Sequence, residues 1–197
     1  MTVQLRWFAH VGLAGALAAS AVGCAATPPP SWVEGGAPLA FGRAVWTQAD
    51  GSRLELDERG QVRVNGEFLV TLDRVGRVVD DSNDPVALLD PEGQLFGTND
   101  TYMGRIGLHN ASPPWGPEAW VRVTPKGAVV LFDADGDTST AGSWVGCDGP
   151  ILRTCTLLTH LVLLESVQRP PRGPYYRPMP SWYGPYPYWG MGFGFYY

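Results

Sequence analysis

Lysine is almost missing from this chain: Lys126 is the only one among its 14 basic residues, and the arginine bias reads as composition rather than mechanism. Positive charge is scarce where it would matter. Arg6, Arg169, Arg172 and Arg177 lie near the two ends, so residues 24–168 carry ten basic against nineteen acidic side chains, a balance of minus nine. Phosphate contacts need a positive face, so nucleic-acid binding by this body is excluded. Histidine and cysteine number three each, and they do not stand at the recognisable spacing of a four-ligand zinc site. The chain also lacks a Gly-x-Ser-x-Gly elbow, a Gly-Lys-Ser/Thr phosphate loop, a His-Glu-x-x-His helix and a Cys–His pair in a catalytic context. No catalytic residue, metal or cofactor is therefore expected. The apolar stretch Trp7–Val22 is shorter than the roughly 20 residues of a spanning helix.

What stands at the N-terminus is an address. One basic residue, Arg6, precedes that apolar stretch, and the small residues Ala21-Val22-Gly23 precede Cys24, the order of a secretory signal. Ala21-Val22-Gly23-Cys24 resembles the lipobox of bacterial lipoproteins. The resemblance covers residues 1–24 and implies cleavage of residues 1–23, lipidation of Cys24 and attachment to a membrane through acyl chains such as palmitate. Residue 25 is Ala rather than Asp, which favours the outer over the inner membrane. Export also implies an oxidising compartment, in which Cys147 and Cys155 are expected to form one disulfide around Asp148-Gly149-Pro150. A metal pair is the alternative, with His109 and His160 as the remaining mature-chain histidines. Residues 24–39, with Pro28-Pro29-Pro30 and Gly35-Gly36, read as a lipidated, semi-extended tether.

From residue 40 a repeated grammar sets in: an apolar residue, a few variable ones, Gly, one residue, an apolar residue. It occurs at Leu56–Val62, Leu72–Val78, Leu89–Leu95 and Val123–Val129, with glycines at 60, 76, 93 and 127 and a degenerate copy near residue 110. The period is about 16–17 residues. Each copy fits a three-residue hairpin loop ending on a left-handed glycine. Glu58-Arg59-Gly60 as the loop pairs Leu56 with Val62 and Leu54 with Val64, placing four apolar side chains on one face. Asp73 and Arg77 would close the next hairpin as an ion pair. Asn65-Gly66 as a tight turn puts Val62 and Val64 on the opposite face from Phe68, Val70 and Leu72, so a bulge is expected near Glu67.

The fold class is thus all-β: an antiparallel meander of about ten strands, its edges hidden by closure as a barrel or sandwich, over residues 40–168. A solenoid is the alternative; Leu72–Val78 resembles the turn of bacterial YD repeats, which build a spiralled shell, but the period here is shorter and the tyrosine absent. The run Thr154–Glu165 is nearly all Thr, Leu and Val, and fits a buried strand or a packed helix; the strand is preferred. Residues 169–197 then change character. The last 28 residues hold seven Pro, five Gly, eleven aromatics and no acidic residue, a composition expected to be disordered or polyproline-like.

Candidate sites are few. The tail aromatics Trp182, Tyr183, Tyr186, Tyr188 and Trp189 are candidate ligand contacts, because rings separated by Pro and Gly stay accessible for stacking. Trp115, Trp120 and Tyr102 are candidates for a shallow sugar site. Asp133, Asp135 and Asp137 alternate as hard-cation ligands do, but Phe132–Thr138 fits the hairpin grammar better. His109 is a candidate base near Asp100, and His160 reads as a satisfied core histidine. The function expected is a non-enzymatic, lipid-anchored envelope protein binding a glycan or partner protein. The alternative is an inhibitor or chaperone-like partner of a basic exported enzyme, and a hydrolase comes third.

Overall fold

The computed structural model describes residues 26–168 except Ala134. Cys24, the signal segment and the tail with Trp182, Tyr183, Tyr186, Tyr188 and Trp189 lie outside the described residues. Twelve strands run in chain order: β1 Ala44–Gln48, β2 Arg53–Leu56, β3 Gln61–Val64, β4 Glu67–Leu72, β5 Arg77–Val79, β6 Pro85–Leu89, β7 Gln94–Gly97, β8 Thr101–Ile106, β9 Asn110–Ser112, β10 Val121–Val123, β11 Ala128–Phe132 and β12 Thr138–Val145. Each pairs antiparallel with its neighbours in sequence, and β12 returns to β1, closing a barrel. Closure removes the edges that an open meander exposes. It also decides between the barrel and the sandwich.

The hairpin grammar is realised as written. Leu56 pairs with Val62 and Leu54 with Val64, and all but Val64 are buried. The loop aspartates do more than charge the surface. Asp57 Oδ1 accepts the backbone N–H groups of Arg59 and Gln61 at 2.8 and 2.9 Å, and Asp73 and Asp80 hold their own turns the same way. Gly76 shows why the loop ends on glycine: its φ is +83°, and a Cβ there would stand 2.6 Å from the carbonyl oxygen of Leu89. Asp73 and Arg77 form the expected ion pair, 3.3 Å apart.

Two expectations are corrected. The run Thr154–Glu165 is helix, within α1 Leu152–Gln168. Residues 154–160 are all buried, so every face of the helix is covered. Hydrogen bonds place it in the lumen: Trp144 Nε1 donates to Thr159 Oγ1 from β12 at 2.9 Å, and Thr156 Oγ1 lies 2.9 Å from the Leu108 carbonyl between β8 and β9. Because β12 already pairs with β11 and β1, a further strand finds no free edge. A helix satisfies its own backbone inside a closed wall.

The second correction concerns the tether. Among residues 24–39, those described lie against the barrel. Thr27 and Asn99 exchange hydrogen bonds of 3.0 and 2.8 Å. Arg77 donates to the carbonyls of Trp32 and Val33, both at 2.7 Å, with its guanidinium over the Trp32 ring. Gly36 and Ala37 then bond to Val75 and Leu89 carbonyls, and Ala37 and Leu39 are buried. Proline and glycine suit this strap, because its fastening is made by backbone groups and by other residues' side chains.

The barrel therefore has two unlike poles. At the pole of the glycine loops, residues 37–43 and the start of α1 close the lumen. Cys147 and Cys155 are disulfide-bonded there, Cα atoms 6.2 Å apart, tying the end of β12 to the first turn of the helix. The other pole carries the loops between β1–β2, β3–β4, β5–β6, β7–β8, β9–β10 and β11–β12, and the helix points out through it.

Candidate functional site

The open rim is shaped by bulges. The β3–β4 register skips Leu69, the β5–β6 register skips Val86 and the β7–β8 register skips Met103. These residues stand 17 apart, one per repeat. A bulge re-aims its side chain, and all three line one apolar cavity against the helix residues Leu158, Leu161 and Val162. The cavity measures about 270 Å³ and has Glu165 at its edge. The expected bulge in β4 thus falls two residues beyond Glu67. It restores Val70 and Leu72 to the inner face and leaves Phe68 opposite Arg63.

Seventeen residues after Met103 stands Trp120, and it too reaches inward. Its Nε1 donates to His160 Nδ1 at 2.9 Å, while His160 Nε2 lies 2.7 Å from the Met103 carbonyl. These partners fix the neutral tautomer with the proton on Nε2. Burial pushes the His160 pKa down, opposed in part by the Met103 bond. The histidine is fully buried, the satisfied core residue that its apolar run implied. Gly104 makes room for it: a Cβ there would stand 3.0 Å from two atoms of the His160 ring.

Above this chain of bonds, the loop between β9 and β10 forms a groove. Ser112 Oγ donates to the Pro117 carbonyl at 2.8 Å, closing the loop with Trp115 at its tip, 63% exposed. The Trp115 ring stands edge-on to Trp120, centroids 5.8 Å apart. With Phe132, Glu118 and Asp133 these rings line a groove of about 520 Å³, within the range of small-molecule sites. Flat aromatic faces bordered by carboxylates suit a polyhydroxylated ring, which stacks its C–H face and donates its hydroxyls.

The other sequence candidates are dispersed. Tyr102 packs on Phe96, ring centroids 5.7 Å apart, and takes no part in the groove. His109 sits in the turn after β8, its Nδ1 3.4 Å from the Val123 carbonyl, whereas Asp100 precedes β8. Six strand residues, about 17 Å or more, separate them, so this proposed base and acid do not meet. Asp133 Oδ1 accepts the N–H groups of Asp135 and Asp137 at 3.0 and 2.9 Å, the same turn-holding role as Asp57. No group of three metal-ligating side chains occurs among the described residues.

The rim also concentrates charge. Loops 49–52, 65–66, 80–84, 98–100, 113–120 and 133–137 contain nine acidic residues and no Lys or Arg. The bulge series is detectable in the sequence as apolar residues at 69, 86 and 103, nine or ten positions after Gly60, Gly76 and Gly93, and Trp120 continues the spacing of 17. The glycines alone do not reveal it. No protein-family model matches the chain, and no curated protein or solved structure is similar to it.

Proposed function

We propose that this protein is a non-enzymatic, lipid-anchored component of the bacterial cell envelope that binds envelope glycan at the open rim. The observation that carries the reading is the exposed Trp115, held edge-on against Trp120 in a groove bordered by Glu118 and Asp133. The lipobox at Cys24 supplies the address, and the chain enters the barrel from that residue at the same rim, through Thr27. The tail aromatics Trp182, Tyr183, Tyr186, Tyr188 and Trp189 follow the helix in the sequence, and their rings, separated by Pro and Gly, are read as further glycan contacts. A fixed ring stacks on a sugar at low entropic cost, and further rings linked to it add reach.

The test is sedimentation of the mature chain with purified peptidoglycan and outer-membrane polysaccharide. Trp115→Ala is expected to weaken capture about tenfold, as loss of a single stacking anchor does, and truncation after Gln168 is expected to weaken it further. Unchanged capture by both variants sinks the glycan reading.

The acidic rim favours a second reading, an inhibitor or chaperone-like partner of a basic exported enzyme. Capture of such a partner falls steeply with salt. Salt-insensitive binding counts against it.

A further inference from the structure

We infer that the lumen cavity of the open rim holds one acyl chain of the lipid carried by Cys24; this rests on the lipoprotein reading above. Apart from Glu165 the cavity is lined by apolar side chains, from Leu69, Val86 and Met103 on the strands to Leu158, Leu161 and Val162 on the helix. Its roughly 270 Å³ sits just below the usual span of small-molecule pockets, room for a single narrow chain rather than a two-chained lipid. Three successive repeats each place their bulged residue in this wall. Left unfilled, these apolar side chains forgo dispersion contacts on the side that faces the cavity.

Position selects the occupant. Thr27 is fastened to Asn99 by two hydrogen bonds, through its own N–H and its own carbonyl, and three residues of extended chain reach at most about 11 Å. A lipid on Cys24 thus starts within that reach of the β7–β8 connection. Two residues before Asn99, a Cβ on Gly97 would touch Met103 Sδ at 2.9 Å, with the Val86 carbonyl 3.6 Å away. The connection that pins the strap thus adjoins the cavity wall. Meanwhile the nine carboxylates of the rim loops repel anionic headgroups. A chain delivered through its covalent link avoids that barrier, and a lipid drawn from an anionic bilayer does not. One sheltered chain leaves the remaining chains of the anchor for the membrane.

The test compares the lipidated wild type with the mature chain carrying Cys24→Ser, using monopalmitoylglycerol, an uncharged single-chain probe, and native mass spectrometry for stoichiometry. The Cys24→Ser chain is expected to take up one equivalent and to melt at a higher temperature with it, whereas the lipidated protein takes up none. Val162→Phe, and Val86→Phe should the first fail to give a cooperative melt, fill the cavity and are expected to weaken uptake at least about tenfold. Absence of uptake by the Cys24→Ser chain, or uptake unchanged in the filled variants, overturns the cavity assignment. Equal uptake by the lipidated protein overturns the anchor as the source. Intact mass of the wild type reads the lipoprotein assignment separately: a chain without the added diacylglyceryl mass sinks that reading, while the Cys24→Ser arm still decides whether the cavity takes an acyl chain.

Discussion

The indole N–H of Trp120 and the Nδ1 of His160 meet across 2.9 Å, joining the rim groove to the helix in the lumen through a single hydrogen bond. Trp120→Phe removes the donor and leaves a buried imidazole nitrogen unpaired, at a cost of about 1–3 kcal/mol. Trp115→Ala, at the exposed tip of the same groove, is expected to change stability by less than about 0.5 kcal/mol. Chemical denaturation of the two variants separates the wall of the site from its support.

Acid should loosen the barrel through the same residue. Burial lowers the folded-state pKa of His160 below its ordinary 6.5, so below that pH the unfolded chain binds a proton that the folded chain refuses. The stability contributed by neutral His160 is complete above about pH 6.5 and is lost as pH falls from there toward the folded-state value. The limiting slope is about 1.4 kcal/mol per pH unit. His160→Phe is expected to be less stable at pH 7.5, because Trp120 and Met103 lose their partner, and to show a smaller loss between pH 6.5 and 5. An equal acid sensitivity in both proteins would contradict the assignment.

The hairpins show how far a single sequence can be read. A left-handed glycine after an aspartate fixes a loop, and the loop fixes the pairing of Leu56 with Val62, so register is legible from residue types alone. The lumen helix is not, because Thr154–Glu165 is apolar on every side and no periodicity distinguishes a helix buried all round from a buried strand. The strap escapes for another reason: Gly36, Ala37 and Thr27 bind through backbone groups, which composition does not report. Bulges have no residue-type signature either, and only their spacing betrays Leu69, Val86 and Met103. Of the candidate groove, Trp115 and Trp120 are legible as aromatics near one loop. Their union with Phe132 and Asp133 depends on the β10–β11 hairpin and the turn that follows it.

Two glycines with positive φ should respond differently to alanine. Gly66 has φ +87° and open space where a methyl group would stand, so Gly66→Ala is expected to cost about 1 kcal/mol from backbone strain. Gly104 has φ +120°, and a Cβ there would stand 2.3 Å from the Ser112 carbonyl oxygen and 3.0 Å from the His160 ring, so Gly104→Ala is expected to cost at least about 2 kcal/mol. Thermal melts rank the pair, and a reversed order would contradict the close approach of β8 to Ser112 and His160.

Asp133 is expected to act as a turn residue. Asp133→Ala removes the acceptor for two backbone N–H groups and should cost about 1 kcal/mol. Adding calcium or a chelator to the wild type should leave the melting temperature where it is. A rise with calcium that disappears in the variant would revive the cation reading of Asp133, Asp135 and Asp137.

The bond between Cys147 and Cys155 spans eight residues, and its removal by Cys147→Ala with Cys155→Ala is expected to cost about 2.5 kcal/mol on loop entropy. Denaturation with and without reductant gives the same comparison in the wild type.

That bond has a mechanical meaning as well. The helix runs toward the open rim, so a pull on its C-terminal end would act on α1 along the barrel axis, as on a cork. Without the cross-link, the segment from Cys147 to Cys155, whose ends stand 6.2 Å apart, would draw out to at most about 27 Å, enough to slide the helix clear of Trp144 and of the partners of His160. With it, the first helical turn is moored to the wall at the far pole. A tug from outside then meets a covalent stop, and the lumen stays filled while the rim is pulled.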